Sequence, residues 1–215
     1  MSNKKKFWIL AGLTLLLLAI DQVIKFAVKL NMAIGESFPM FGDSDWARIL
    51  FIENNGMAFG MQLGGIGGKL LLSVFRLVLI GVIVWFLIKI IKKRNPSWGV
   101  LIGLVLILVG AVGNMIDSTF YGRIFTESTR GNVAELVSFG DGYAPLLCGR
   151  VVDMFYFPMV HWIWPDWIPF VGGDEFEFFS PVFNFADACI SVGVVYLIIF
   201  QRRFFNVNPK QKDIL

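Results

Sequence analysis

The sequence predicts an α-helical membrane protein with four transmembrane helices, a small extracytoplasmic β-sheet segment and an interfacial aromatic loop. Three observations predict it. The chain of 215 residues is 56% hydrophobic and only 16% charged, with a mean hydropathy of +0.69, whereas soluble domains are roughly a quarter charged. Four stretches are long and apolar enough to span a bilayer, for which ~20 residues are needed. Finally, three basic clusters, before the first span, between the second and third and after the fourth, all fall on one side of a four-span topology, as cytoplasmic flanks do.

The first span covers residues 7–28, after Lys4-Lys5-Lys6. No small-x-small cleavage site follows it, and the helix continues into Asp21-Gln22-Val23-Ile24-Lys25, so it reads as a retained span rather than a removed leader. The next segment, 29–68, contains the strand-like run Arg48-Ile49-Leu50-Phe51-Ile52 and then Gly56, Gly60, Gly64, Gly65, Gly67 and Gly68. This pattern predicts a small sheet lying on the membrane, with glycines turning the backbone. The second span is 69–91 and the third 98–116, joined by Lys89, Lys92, Lys93 and Arg94. The segment 117–182 is acidic, with Glu127, Glu135, Asp141, Asp166, Asp174, Glu175 and Glu177. Within it, Trp162, Trp164, Trp167 and Phe170 alternate with Pro165 and Pro169, a run too short and broken to span and suited to the interface. The fourth span, 183–200, precedes Arg202, Arg203, Lys210 and Lys212. Both termini are then cytoplasmic, 29–68 and 117–182 are extracytoplasmic, and 1–215 forms a single integral-membrane domain.

Several function classes drop out. A net charge of +3 with no basic, aromatic-interleaved stripe gives no reason to expect nucleic acid. Cys148 and Cys189 form no C-x-x-C pair and His161 is the sole histidine, set among tryptophans, so no His- or Cys-based metal site is expected, and no cofactor. Cys189 lies in an apolar run and reads as a small buried hydrophobe.

The polar residues that need an explanation gather at the outer ends of the spans, where ionisable groups are costly. Asp21 and Lys25 have the i, i+4 spacing of an ion pair. Gly110 and Gly113 permit close helix approach, and Asn114 and Asp117 share a helix face beyond them. Asn184 and Asp187 share a face at the start of the fourth span. Asp153 follows Gly149-Arg150-Val151-Val152 and precedes an aromatic run. From these features alone, Asp187 reads equally as a helix cap and Asp153 as an ion-pair partner of Arg150.

In this order the clusters resemble lipoprotein signal peptidase, the signal peptidase II family of membrane aspartic peptidases, over nearly the whole chain. The motifs stand as Asp21-Gln22-Val23-Ile24-Lys25; Asn54-Asn55-Gly56-Met57-Ala58-Phe59; Gly113-Asn114-Met115-Ile116-Asp117-Ser118; Gly149-Arg150-Val151-Val152-Asp153; and Phe183-Asn184-Phe185-Ala186-Asp187. There are two departures. Ser118 replaces the arginine usual after the third motif's aspartate. The fourth motif's glycine usually follows that aspartate by five residues, which here falls on Gly122-Arg123-Ile124-Phe125-Thr126, with Thr126 where the acid should be. Thr126 cannot ionise, and the near-copy ending in Asp153 comes 27 residues later. An inserted loop at 123–149 follows from this.

The resemblance implies Asp153 and Asp187 as the catalytic pair. It implies Asn54, Gly56, Asn114, Asn184 and Arg150 as substrate-binding or supporting residues, and Asp21, Lys25 and Asp117 as polar scaffold. It further implies lipidated prolipoproteins as substrates, membrane lipids as surroundings, cyclic-peptide inhibitors as ligands and the bacterial inner membrane as location, with the active site on the extracytoplasmic face. The competing readings are a small transporter or proton channel using Asp153 and Asp187 as a relay, and an inactive family member that binds lipoproteins.

Overall fold

The computed structural model describes residues 2–43, 45–54, 65–93, 96–178 and 181–201. Helix α1 (Asn3–Asn31) is capped by Ser2, whose hydroxyl accepts from the Lys5 N–H at 3.3 Å. It overruns the expected 7–28 at both ends because the flanking lysines are good helix formers. Helix α2 spans Gly65–Lys93, and α3 spans Trp98–Ile116 behind a Ser97 cap. The chain does not leave the helix at Ile116. It passes through a π-helical turn, Asp117–Tyr121, into the single turn α4 (Gly122–Ile124). The wider turn brings Asp117, Ser118 and Tyr121 inward together, a use to which π-turns are often put. Helix α5 spans Phe185–Phe200.

Three helical stretches, Asn3–Asn31, Gly67–Lys92 and Trp98–Ile124, are long and apolar enough to cross a membrane, and α5 is a shorter apolar helix. Helix α3 is central and packs on α1, α2 and most extensively α5. Leu10, Leu87, Leu101, Val105, Val109 and Leu197 form the buried core between them. Away from α3, Leu15, Leu16, Phe75, Val78, Ile198 and Ile199 are exposed, as suits lipid contact. The α3–α5 approach is as close as the glycines allow. A methyl at Gly110 would collide with the Ala186 carbonyl oxygen, and one at Gly113 would lie 2.6 Å from Asp21 Oδ2.

The expected sheet is present. Strands β1 (Ser37–Pro39), β2 (Arg48–Asn54) and β3 (Val151–Tyr156) form an antiparallel sheet in the order β1-β2-β3. Ile52 pairs with Asp153, Glu53 with Val152 and Asn54 with Val151, after an irregularity between Ile49 and Ile52. One face of β3 therefore carries Asp153, and the other carries Val152 and Met154, both fully buried. Those two join Val28, Phe51, Tyr121 and Phe125 in a second core. Of the glycines expected to turn the chain, Gly56, Gly60 and Gly64 lie outside the described residues, whereas Gly65, Gly67 and Gly68 do not turn it but begin α2. The aromatic segment is more regular than expected: β4 (Val160–Ile163) and β5 (Glu175–Phe178) pair as a hairpin around it. Trp167 and Phe170 at its tip are exposed.

Gly110→Val should shorten the life of the fold in detergent. Overpacking at a backbone contact costs roughly 1–3 kcal/mol. Cys148 and Cys189 are buried free thiols, so a thiol-reactive dye reports unfolding directly. A melting midpoint equal to that of the unmodified chain would contradict the close α3–α5 contact.

Candidate active site

The site lies where the two cores meet, and its foundation is an ion pair in α1. Lys25 Nζ sits 3.1 Å from Asp21 Oδ2 and 2.7 Å from Asp117 Oδ2, with all three side chains wholly buried. The expected i, i+4 pair is thus a triad. Two carboxylates against one ammonium leave an excess negative charge, and uncharged donors meet it. Asp21 Oδ1 accepts from the Ala186 N–H at 3.0 Å, and Asp117 accepts from Gln22 Nε2 at 3.1 Å and the Val152 N–H at 3.3 Å. These bonds tie α1 to α5, to the end of α3 and to β3. Gln22 was not singled out by the sequence, although it lies inside the first motif. Its carbonyl accepts from the Tyr121 hydroxyl at 3.0 Å.

Lys25 also donates to Asn114 Oδ1 at 3.0 Å, and Asn184 Nδ2 donates to the same oxygen at 3.1 Å. With its oxygen so occupied, Asn114 must present its NH2 the other way, and Nδ2 donates to Asp187 Oδ1 at 2.7 Å. Asn184 is the N-cap of α5 and forms a capping box with Asp187: the Asp187 N–H donates to Asn184 Oδ1 at 2.9 Å, and the Asn184 N–H to Asp187 Oδ2 at 3.4 Å. The helix-cap reading of Asp187 is realised without removing it from the site.

Asp153 arrives from β3. The β3 backbone is stitched to the start of α5, with the Phe155 N–H donating to the Phe183 carbonyl at 2.7 Å and the Phe183 N–H returning to Phe155 at 3.0 Å. Asn184 Nδ2 then donates to Asp153 Oδ1 at 2.6 Å, and Asn54 Nδ2 donates to Asp153 Oδ2. One residue, Asn184, thus donates to both carboxyl groups, to Asp153 from its side-chain amide and to Asp187 from its backbone N–H. Asp153 is 3% exposed. Burial, and then the negative charge of Asp187, push its carboxyl up to about 7, against the pull of Asn184, Lys25 and Asn54 toward ionisation.

The structure brings Asn54, Asn114, Asn184, Asp153 and Asp187 together, with Asp21, Lys25 and Asp117 beneath them. Gly56 lies outside the described residues. Arg150 does not pair with Asp153 as the sequence alone allowed. The strand alternation sends it to the other side, where it meets Glu127 Oε1 at 2.7 Å and Glu53 Oε2 at 3.4 Å. There the 123–149 segment packs behind the sheet. Lys29 pairs with Glu53, donates to Ser128 Oγ at 3.0 Å, and lies over the Phe125 and Tyr143 rings at 5.2 Å each. The Tyr143 hydroxyl receives the Arg150 N–H at 2.7 Å, and burial raises its pKa. Glu53, one residue before Asn54, is therefore clamped from both sides. Sequence reasoning passed over Lys29 and Glu53. The available signal was Lys29 repeating the Asp21, Lys25 spacing one turn further on.

Residues 13–203 match the family model described as signal peptidase (SPase) II. A lipoprotein signal peptidase of Porphyromonas gingivalis is 49% identical over 191 residues, covering 89% of this chain and 81% of that protein. One of Amoebophilus asiaticus is 36% identical over 210 residues, covering 97% of this chain and 83% of that protein. A solved bacterial membrane enzyme has a similar fold, with a TM-score of 0.55 at 23% identity over 88% of this chain and 90% of that one.

Lys25→Met leaves Asp21 and Asp117 facing each other without their cation. Breaking a buried pair by removing one partner costs about 3–5 kcal/mol. A large drop in thermal midpoint is expected, read by the same thiol dye, and an unchanged midpoint would show that the triad is not what holds α1 to α3.

Proposed function

Because this chain belongs to the signal peptidase II family, we propose that it is an aspartic endopeptidase. It removes the signal peptide from diacylglyceryl-modified prolipoproteins by cutting just before the lipidated cysteine. The observation that carries the reading is the linked pair of carboxyl groups: a buried Asp153 raised to about 7 that accepts from the Asn184 side chain, and Asp187, which accepts from the Asn184 backbone N–H and from Asn114.

Two carboxyl groups that feel each other's charge share one proton near neutrality. The ionised member takes a proton from a water whose oxygen attacks the scissile carbonyl carbon. The protonated member gives its proton to the carbonyl oxygen, producing a neutral gem-diol. Collapse returns the carbonyl, breaks the C–N bond and delivers a proton to the leaving amine. Asn54, Asn114 and Asn184 suit the task because amides donate to carboxylates and to a substrate backbone without adding charge. Asp21, Lys25 and Asp117 are scaffold: the two acids are consumed by Lys25 and by backbone N–H groups, so neither is available to water. Arg150 supports the site through Glu53 rather than by touching substrate.

A lipid-embedded signal helix explains why the pair sits at one end of an apolar bundle. The basic flanks place both termini in the cytoplasm and the site at the outer face of the inner membrane. Membrane lipid surrounds the exposed apolar faces, and cyclic peptides that inhibit the family are expected to compete at the site.

Purified Asp153→Asn and Asp187→Asn should each lose all measurable cleavage of a lipidated prolipoprotein while keeping near-normal melting midpoints. Near-normal turnover by either one sinks the pair. Asp117→Asn should melt earlier yet keep more activity, and a stable but dead Asp117→Asn would move the chemistry to Asp117. The pH profile of kcat/KM should be bell-shaped. With Asp153 raised to about 7, the shared proton is lost above that value and activity falls on the alkaline side. It also falls at low pH, where both groups are protonated and no base remains.

A further inference from the structure

Arg76 is the one charged residue in α2 between Lys69 and Lys89. A guanidinium at that place in an apolar helix is costly, and such residues as a rule face a protein interior and have a function. The helix turns it toward the site. Ser73, three residues earlier on the same face, is buried, and its hydroxyl donates to the Leu147 carbonyl at 2.8 Å, just before the Gly149–Asp153 motif. Arg76 Nη1 donates to Ser118 Oγ at 3.4 Å, and that hydroxyl donates to the Asn114 carbonyl at 3.0 Å. Asn114 is the residue whose amide holds Asp187.

The charges around Arg76 are defined. The acids whose charge reaches Arg76 are Asp187 from α5, Asp117 from the end of α3 and Asp153 from β3. Lys69, on its own helix, feels Arg76 as a like charge. The other cations near the site are committed elsewhere: Lys25 to Asp21 and Asp117, and Lys29 and Arg150 to Glu53. Of the acids around Arg76, Asp117 already has a cation in contact, Lys25 at 2.7 Å, whereas the donors on Asp187 are uncharged, the Asn114 amide and the Asn184 N–H. Ser118 is small and buried, which leaves room for a long side chain to arrive from the neighbouring helix.

Resting on the reading of Asp153 and Asp187 as the catalytic pair, we propose that Arg76 is a positioning residue. It supplies from α2 the positive charge absent at Ser118, and it holds the pair's single negative charge on the Asp187 side, leaving the shared proton on Asp153. The ionised, water-activating group is then Asp187, and the proton donor to the scissile carbonyl is Asp153. Asp153 is the more deeply buried of the two, and burial favours its neutral form. A cation beside an acid favours its charged form, so removing Arg76 makes the base harder to ionise.

The test uses full-length Arg76→Leu, Arg76→Lys and the double variant Arg76→Leu/Ser118→Arg. Each is purified in detergent and assayed on a lipidated prolipoprotein across pH, with Asp153→Asn and Asp187→Asn alongside. Arg76→Leu should fold, since leucine suits an apolar helix, and its melting midpoint checks this. Its turnover should fall roughly 10- to 100-fold, as for loss of a single electrostatic contact to a reacting group, and the acidic limb of its pH profile should move upward. Arg76→Lys should keep the limb near its original position, and the double variant should recover much of the lost rate. A folded Arg76→Leu with an unchanged pH profile overturns the proposal, as does a double variant no better than Arg76→Leu. The two readings fail separately. An active Asp153→Asn or Asp187→Asn removes the pair itself, whereas dead aspartate variants beside an unaltered Arg76→Leu remove only the role of Arg76.

Discussion

The contact on which the rest depends is Lys25 between Asp21 and Asp117. Three ionised groups wholly removed from water would each lose several kcal/mol of solvation. They are tolerated only because attraction and neutral hydrogen bonds replace that solvation together. Among the described residues, no buried side-chain nitrogen or oxygen lacks a partner. The consequence reaches the site through one amide. Lys25 fixes the oxygen of Asn114, so the nitrogen of Asn114 is aimed at Asp187. A scaffold charge thereby decides the orientation of the amide that holds Asp187, one of the two proposed catalytic acids.

The sheet is positioned by a second device of the same kind. β3 is stitched on one side to Phe183, two residues before α5, and, through Val152, to Asp117. Its neighbour β2 is held by Glu53, gripped by Lys29 and Arg150. The 123–149 segment contributes Glu127, Ser128 and Tyr143 to that grip. That segment lies on the opposite face of β3 from Asp153, where Phe125, Ala134 and Tyr143 add to the core behind the sheet.

How much of this was legible in the sequence follows from the range of each interaction. The helices declare themselves through composition, and Asp21 with Lys25 through helical spacing, because both signals are local. The family motifs carry Asp153 and Asp187, but local reading alone left each with a structural alternative, and Asp187 turned out to fill its alternative as well. Asn184 as a bridge between the acids was not readable, since it depends on β3 meeting α5 across the fold. The same holds for Arg150. Strand alternation put it opposite Asp153 in direction, but its partners Glu53 and Glu127 are distant in sequence. Lys29 and Arg76 were overlooked because each is a single charge in an apolar helix, informative only when the neighbouring helix or strand is known.

The distribution of charge along the helices also bears on the transporter reading. A relay needs ionisable or polar stations through the thickness of the membrane. The acids here lie at one end of the bundle only. Residues 7–20 of α1, 77–88 of α2, 98–113 of α3 and 188–200 of α5 contain no aspartate, glutamate, lysine, arginine or histidine. A proton reaching Asp153 or Asp187 from the end of the bundle where they lie would meet Asp21 next, and Asp21 is locked to Lys25 and to the α5 backbone. The bundle beneath the site is an insulator. That is the arrangement required to hold a lipid-embedded chain beside a pair of acids, and it is the opposite of a conduit.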